Sequence, residues 1–217
     1  MVEIFQNFFS LDDISWFKQD MANLFTTDRV ISRPYDPEES ERNFGFRTEV
    51  LDYRVILNEH DPAFNMIRSA LAKVTTVADY MYVAYQRQIV PHSFHVDELA
   101  EHGSASAKSG VIPLDENING VFKTVIWDVE FLTNRAMLDT LIDLASNRAR
   151  YPILSQVRDV EHCWNGDNVA DLFPLDGIFN YDLGSIGMFP RSHMHCSSNW
   201  HKYTLVDYKD IIVIHSD

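Results

Sequence analysis

Hydrophobic residues recur with helical spacing in two stretches of the first 78 residues. The first stretch starts at Ser10, a residue type that commonly caps helices. Its apolar positions fall on one helical face: Ile14, Phe17, Met21 and Leu24. The second starts at Asp61-Pro62, an aspartate N-cap followed by a proline at the first helical position. Its apolar positions are Phe64, Ile67, Leu71 and Val74. Between the two, residues 47–57 alternate and predict a strand, whereas the polar residues 28–43 predict a loop.

From residue 79 onward the pattern changes from helical spacing to strand-forming runs. The predicted strands are residues 80–85, 108–114, 121–127, 187–189, 193–197 and 203–214. Asn119-Gly120 is a strong turn signal between two of them. Residues 133–149 interrupt the strands with a helical stripe that Thr133 can cap. Helices first and many strands afterwards predict an α+β chain, mainly β, with a sandwich or barrel core.

Length and charge narrow the class of protein. The 217 residues fit one domain, with residues 1–78 as support and residues 79–217 as the β core. The formal net charge of −14 argues against nucleic acid as a general partner. No apolar run is long enough to span a membrane, and two cysteines cannot form a disulfide framework. The first residues lack the basic region of a signal peptide, so we expect a cytoplasmic protein.

Candidate chemistry lies in two histidine-containing stretches. His95 and Asp97 are two residues apart, so on an extended strand both side chains face the same way. His193 and His195 have the same spacing near the C-terminus. Two imidazoles and one carboxylate form the facial triad of non-haem Fe(II) oxygenases. A cupin-type metal pair of His193 and His195 is the alternative, and His92 is a rival ligand whose offset from His95 suits a helix better.

These stretches occur in an order that resembles the Fe(II)/2-oxoglutarate-dependent dioxygenases. The resemblance is to the prolyl-hydroxylase-like branch and to oxygenase-like proteins of bacteriophages. The second resemblance implies that this protein could be encoded by a virus and located in the host cytoplasm. It covers roughly residues 80–214. The matching pieces are Tyr85, His95-x-Asp97, the two strands around Asn119-Gly120, Phe189-Pro190 ahead of His195, and Lys209 opening an alternating apolar run.

The resemblance implies a fold and a set of site residues. The fold would be a double-stranded β-helix (jelly roll, cupin-like), with the N-terminal helices packed outside and a helical insertion near residues 133–149. His95, Asp97 and His195 would bind Fe(II). Lys209, or second to it Lys108, would pair with the distal carboxylate of 2-oxoglutarate, because an unpaired buried charge is very costly. A lysine grips a carboxylate less firmly than an arginine, so a hydroxyl such as that of Tyr85 would assist.

The function that follows is a dioxygenase that hydroxylates its substrate and releases succinate and CO₂. The substrate would be a small molecule or a protein side chain, and Arg191 is a candidate contact for an anionic substrate, although it can equally flank the strand. Two other functions stay open. One is a metal-binding cupin without 2-oxoglutarate, and the other is a non-catalytic viral jelly-roll module that interacts with partners.

Overall fold

The computed structural model of the chain describes residues 1–74, 81–92, 95–97, 107–130, 174–202 and 204–216. Within these residues there are three helices: α1 (Leu11–Leu24), α2 (Pro37–Phe44) and α3 (Pro62–Leu71). The same residues form ten strands: β1 (Glu3–Phe5), β2 (Ile31–Pro34), β3 (Val50–Leu57), β4 (Met81–Gln88), β5 (Lys108–Pro113), β6 (Lys123–Glu130), β7 (Leu175–Asn180), β8 (Ile186–Pro190), β9 (His193–Ser197) and β10 (Lys209–Ser216).

The strands make two antiparallel sheets. The large sheet has seven described strands in the order β1-β8-β5-β10-β4-β3-β2, and the small sheet has three in the order β7-β6-β9. Strand β10 lies at the centre of the large sheet, with Ile212 opposite Tyr85 of β4 and opposite Ile112 of β5. The chain passes through the large sheet in β1 to β5 and through the small sheet in β6 and β7, and it then crosses between the sheets from β8 to β10. Two antiparallel sheets joined by such crossings form a jelly roll.

The N-terminal helices cover the outer face of the large sheet, as predicted. One buried cluster joins α1 and α3 to the large sheet, and it includes Phe17, Met21, Ile67, Val83, Tyr85, Ile112, Ile212 and Ile214. A second cluster fills the space between the sheets, and it includes Val111, Phe122, Ile126, Phe179, Tyr181, Phe189, Trp200 and Ile211. Because side chains alternate along a strand, the even-numbered residues of β10 face the helices and the odd-numbered ones face the interior.

The polar stretch of residues 28–43, predicted as a loop, instead contains β2 and most of α2. Asp36-Pro37 carries the same helix-start signal as Asp61-Pro62, and Asp36 Oδ1 accepts a hydrogen bond from Glu38 N at 2.8 Å. The helix was missed because it buries only Ser40 and has no apolar stripe. Val74 was also misplaced, since α3 ends at Leu71 and Val74 is 42% exposed.

Of the other predicted elements, one turn is confirmed and one helix lies outside the described residues. The turn at Asn119-Gly120 is confirmed, because both residues have positive φ angles, 56° and 67°. The helix predicted near residues 133–149 lies outside the described residues, and the single-domain organisation stays a prediction. In the described part of the chain, no helix is both long enough and apolar enough to cross a membrane.

The start of α1 gives a test of the local energetics. Ser10 Oγ accepts a hydrogen bond from Asp13 N at 3.1 Å, while Asp13 Oδ2 accepts one from Ser10 N at 2.9 Å. We expect Ser10→Ala to lower the free energy of unfolding by about 1 kcal/mol, because helix donors lose their partner. Urea denaturation measures this loss. Ser15→Ala, at an exposed position within the same helix, is the control, and an equal loss there would contradict the capping role.

Candidate metal centre

Three of the predicted site residues meet between the two sheets. His95 forms an isolated antiparallel bridge with His195 of β9: His95 N donates to His195 O at 3.1 Å, and His195 N donates to His95 O at 3.0 Å. Asp97 N then donates to Arg191 O at 3.0 Å, so the segment follows β9. One ligand atom each of His95, Asp97 and His195 lies within 4.8 Å of the other two.

The orientation of these side chains suits a shared ion. Nε2 of His195 lies 3.5 Å from Asp97 Oδ2, and Nε2 of His95 lies 3.7 Å from Asp97 Oδ1. His195 Nδ1 lies 3.0 Å from the carbonyl oxygen of His193 and can donate to it. Such a bond leaves the lone pair of His195 on Nε2, the atom that faces the carboxylate.

Protonation favours metal binding as well. Burial lowers the pKa of His195, which keeps its imidazole neutral. Burial alone would raise the pKa of Asp97, but His195, His215 and His95 outweigh it and hold that pKa below its ordinary value. A neutral imidazole beside an ionised carboxylate is the state that metal ligands require.

Ser109 and His215 support the carboxylate from the large sheet. They lie opposite each other on β5 and β10. The Ser109 hydroxyl donates to Asp97 Oδ2. His215 Nδ1 lies 3.1 Å from Ser109 Oγ and 3.8 Å from Asp97 Oδ2. These contacts fix the orientation of the Asp97 carboxylate, whose Oδ1 faces His95 and whose Oδ2 faces His195.

We expect Ser109→Ala to weaken metal binding about tenfold, because it removes an outer hydrogen bond to a ligand. Titration of the metal-free protein with a divalent ion measures the change. Ser185→Ala serves as the control, since Ser185 is also buried but donates to Asp182 O. An unchanged affinity in the Ser109 variant would show that Asp97 needs no such support.

The rival histidines have other partners. His92 Nε2 lies 3.1 Å from Asp52 Oδ2, and burial lowers the pKa of His92 to about 3. His193 Nδ1 lies 3.3 Å from Asp176 Oδ2. Among the described residues, the group close enough to share an ion includes neither His92 nor His193. The geometry therefore does not favour the cupin-type pair of His193 and His195.

Lys209 lies on the interior face of β10, completely buried. Its Nζ lies 4.2 Å from the centre of the Trp200 ring and 4.4 Å from that of Tyr181. Nζ has no hydrogen-bond acceptor within the described ranges. Burial lowers the pKa of this amine well below its ordinary value. A buried cation without an anionic partner is the feature that a carboxylate ligand would satisfy.

Tyr85 and Lys108, two further predicted contacts of 2-oxoglutarate, face away from this interior. The Tyr85 hydroxyl donates to Asp20 Oδ2 of α1 at 2.9 Å, within the cluster beneath the helices. Lys108 Nζ pairs with Glu3 at 2.8 Å. Both predictions need correction, because on their strands the two residues occupy the positions that point to the outer face.

Arg191 stands in the turn between β8 and β9. Its carbonyl oxygen accepts from Asp97 N, and its own N donates to Ala107 O at 3.2 Å. Together with burial, its positive charge acts to lower the pKa of His215. The main chain of Arg191 thus helps to hold the metal segment, and a role of its side chain in substrate binding stays a prediction.

The triad opens into a cavity of about 300 Å³ that the sequence analysis did not anticipate in full. Arg33 and Arg54 line it beside the three candidate ligands. Asp52, completely buried, lies between the two arginines and bonds to both. One sequence feature could have revealed this part of the cavity. Asp52 and Arg54 are polar and two residues apart on a predicted strand, so both face the same side of the sheet.

The chain matches no protein-family model and no curated protein sequence. Solved structures do match. One is the non-haem α-ketoglutarate (2-oxoglutarate)-dependent epimerase SnoN from nogalamycin biosynthesis, with TM-score 0.56 and 9% identity, over 100% of this chain and 78% of that one. Another is a prolyl-4-hydroxylase from Pseudomonas putida, with TM-score 0.54 and 7% identity, over 99% and 91%.

A third match is EctD from S. alaskensis, determined with 2-oxoglutarate and 5-hydroxyectoine, with TM-score 0.51 and 13% identity over 99% and 71%. At these identities the likeness concerns the fold, and it confirms the predicted architecture. The chain has the double-stranded β-helix fold of the 2-oxoglutarate-dependent oxygenases.

Proposed function

We propose that the protein is an Fe(II)/2-oxoglutarate-dependent dioxygenase that hydroxylates a C–H bond. The observation that carries the proposal is Lys209, a buried lysine whose Nζ has no hydrogen-bond acceptor among the described residues, on the interior face that also holds Ser109 and His215 beside the His-Asp-His group. The group alone would suit several metals. A second, separate charge in the interior matches a dicarboxylate that must be held at both ends.

His95, Asp97 and His195 would hold the iron, which fits their donor set of two imidazoles and one carboxylate. When bound, iron supplies the activation of O₂ that protein side chains cannot provide. The overall reaction converts 2-oxoglutarate, O₂ and substrate into succinate, CO₂ and hydroxylated substrate. One oxygen atom enters succinate and the other enters the substrate, so the equation balances.

Lys209 would bind the distal carboxylate of 2-oxoglutarate. Thr124 Oγ1 and Tyr181 Oη lie 2.8 Å apart on the wall of the metal cavity, and their shared bond leaves one hydroxyl hydrogen to donate. These two hydroxyls take the assisting role that the sequence suggested for Tyr85. The rings of Trp200, Tyr181 and Phe122 surround Lys209 and exclude water, which strengthens a charge-assisted bond.

The substrate would enter from the side of the metal opposite this enclosed end. Solved structures of similar fold include an enzyme of nogalamycin biosynthesis and a prolyl-4-hydroxylase. They support a small molecule or a protein side chain as the substrate class.

Succinate formation tests the proposal. Purified protein is incubated in air with Fe(II), 2-oxoglutarate and ascorbate, and succinate is quantified. We expect slow succinate release without added substrate, dependent on Fe(II) and absent in His95→Ala. The proposal would be contradicted if wild-type protein with bound iron formed no more succinate than the His95→Ala protein does.

A further inference from the structure

Two arginines and one aspartate share the interior face of the last two strands of the large sheet. Arg33 of β2 lies directly opposite Asp52 of β3, and Arg54 is two residues further along β3. Asp52 and Arg54 are in turn opposite Gln88 and Gln86 of β4. Both glutamines line the metal cavity, so this row of side chains faces the metal and not the helices.

The charges in this row do not balance. Asp52 accepts from Arg33 Nε at 2.9 Å and from Arg54 Nε at 3.0 Å. One carboxylate therefore faces two guanidinium groups. Nη1 of Arg33 and Nη1 of Arg54 have no acceptor in the part of the chain that the structure describes, and neither atom is buried. Four N–H donors remain for a ligand.

Two other arginines of the described residues each pair with a single carboxylate. Arg29 donates two hydrogen bonds to Asp61, at 2.7 and 2.8 Å, and Arg87 donates two to Asp210, at the same two distances. In a chain of net charge −14, carboxylates are plentiful. Arg33 and Arg54 differ from Arg29 and Arg87 in that they share one carboxylate.

The arginines are also within reach of the metal group. They line the same cavity as His95, Asp97 and His195. Their side chains are 38% and 19% exposed, unlike the enclosed Lys209, so a molecule can reach them from solvent while 2-oxoglutarate is bound.

A buried acceptor lies next to them. Gln88 Oε1 lines the cavity, and no donor reaches it within the described residues. Gln88 lies between Asp52 and Lys209 in the strand register. A ligand that presents an anion to the arginines and a hydroxyl or ammonium group to Gln88 would satisfy both.

We propose that Arg33 and Arg54 bind a carboxylate or phosphate group of a small-molecule substrate and so hold its reactive C–H bond at the metal site. The inference rests on the proposed function and names the chemical class of its substrate. Asp52 keeps the two guanidinium groups side by side, and the charge of the substrate completes the neutralisation. The group that binds is remote from the bond that reacts, so its role is positioning.

Binding of simple aromatic anions tests the inference. The probes are benzoate and phenyl phosphate, and the matched neutral compounds are benzamide and phenol. The full-length protein is first saturated with Zn(II) and 2-oxoglutarate, so that Lys209 is already occupied, and dissociation constants are measured by ligand-observed NMR. We expect the anions to bind and the neutral compounds to bind at least about tenfold more weakly. The tighter of the two anions identifies the group as carboxylate or phosphate.

Three variants make the outcome specific. Arg54→Met should weaken anion binding about tenfold. Arg47→Met, at an exposed arginine paired with Glu41, should leave it unchanged. Asp52→Asn should strengthen anion binding, because both guanidinium groups lose their competing carboxylate. This last variant keeps the test decisive if removal of an arginine destabilises the fold. Equal binding of charged and neutral probes, or anion binding that none of the variants alters, would overturn the inference.

The same titration separates the inference from the proposed function. Lys209→Met protein without metal lacks the co-substrate contact but retains both arginines. Anion binding that depends on Arg54 in this protein supports the anion site even if no iron chelate forms. Formation of the chelate without any Arg54-dependent anion binding overturns the inference and leaves the proposed function intact.

Discussion

Lys209→Met is expected to weaken the binding of 2-oxoglutarate strongly and, in the same protein, to raise the melting temperature. The two effects have one cause. Lys209 is completely buried, and none of the residues that the structure describes offers its Nζ a hydrogen-bond acceptor, so its charge costs stability until a carboxylate binds. Methionine has a similar length and no charge. The affinity for 2-oxoglutarate should fall at least about 100-fold, and the free energy of unfolding should rise by about 1–4 kcal/mol.

Isothermal titration with 2-oxoglutarate and thermal denaturation measure the two effects separately. Tyr85→Phe is the matched control, because Tyr85 bonds to Asp20 on the outer face of the sheet. It should lose a little stability and keep its affinity for 2-oxoglutarate. If Lys209→Met binds 2-oxoglutarate as the wild type does, the buried amine is not the carboxylate partner.

The difference in the free energy of unfolding between Lys209→Met and wild type should change with pH in a predictable direction. Burial holds the pKa of Lys209 well below its ordinary value in the folded protein, whereas in the unfolded chain it is about 10.4. Between these two values the unfolded state binds more protons, so wild-type stability rises with pH. The advantage of Lys209→Met over wild type should therefore be largest at low pH and shrink as pH approaches about 10.4. A difference independent of pH would mean that the pKa of Lys209 is the same in the folded and unfolded states, so that burial does not destabilise its charge.

His195→Ala is expected to eliminate metal binding, while His193→Ala retains it. His195 Nε2 faces Asp97, and His95 completes the group, but the side chain of His193 lies against Asp176. Loss of a direct ligand should cost more than the about 10–100-fold that loss of an outer hydrogen bond costs. Metal content after dialysis against Fe(II) or Zn(II) gives the answer.

The two histidine variants also separate two classes of protein. Both histidines lie on β9, so their backbones experience the same strand environment and each variant controls for the other. Loss of the metal in His193→Ala as well would favour the cupin-type pair. Retention in His195→Ala would remove the central ligand of this account.

The spacing of two residues was enough to predict that His95 and Asp97 project together, whereas His195 and Lys209 were named because of the family resemblance. His95 and Asp97 are two residues apart on an extended segment, and the bridge to β9 brings them to His195. The same alternation places Lys209 on the interior face of β10, opposite in direction to Ile212 and Ile214. Spacing predicts which side chains share a face because alternation is a local property of extended backbone, and the roles of these residues stay predictions.

The face of a strand in the middle of the sheet was not predictable in the same way. Strand β4 is covered by α1 and α3 on one side and by the cavity on the other, so nearly all its residues are buried. Periodicity then carries no information about which side holds the metal, and Tyr85 was assigned to the wrong one. The pairing of Arg33 with Asp52 depends on contacts between β2 and β3, and β2 has no apolar pattern to reveal it.

The most direct test of the central claim is an anaerobic titration of the metal-free protein with Fe(II) and 2-oxoglutarate, followed by visible absorption. Chelation of iron by 2-oxoglutarate at the His95, Asp97 and His195 group predicts a weak charge-transfer band. The band should be absent in His95→Ala and His195→Ala and reduced in Lys209→Met. Stoichiometric Fe(II) binding without any band at saturating 2-oxoglutarate would contradict the account.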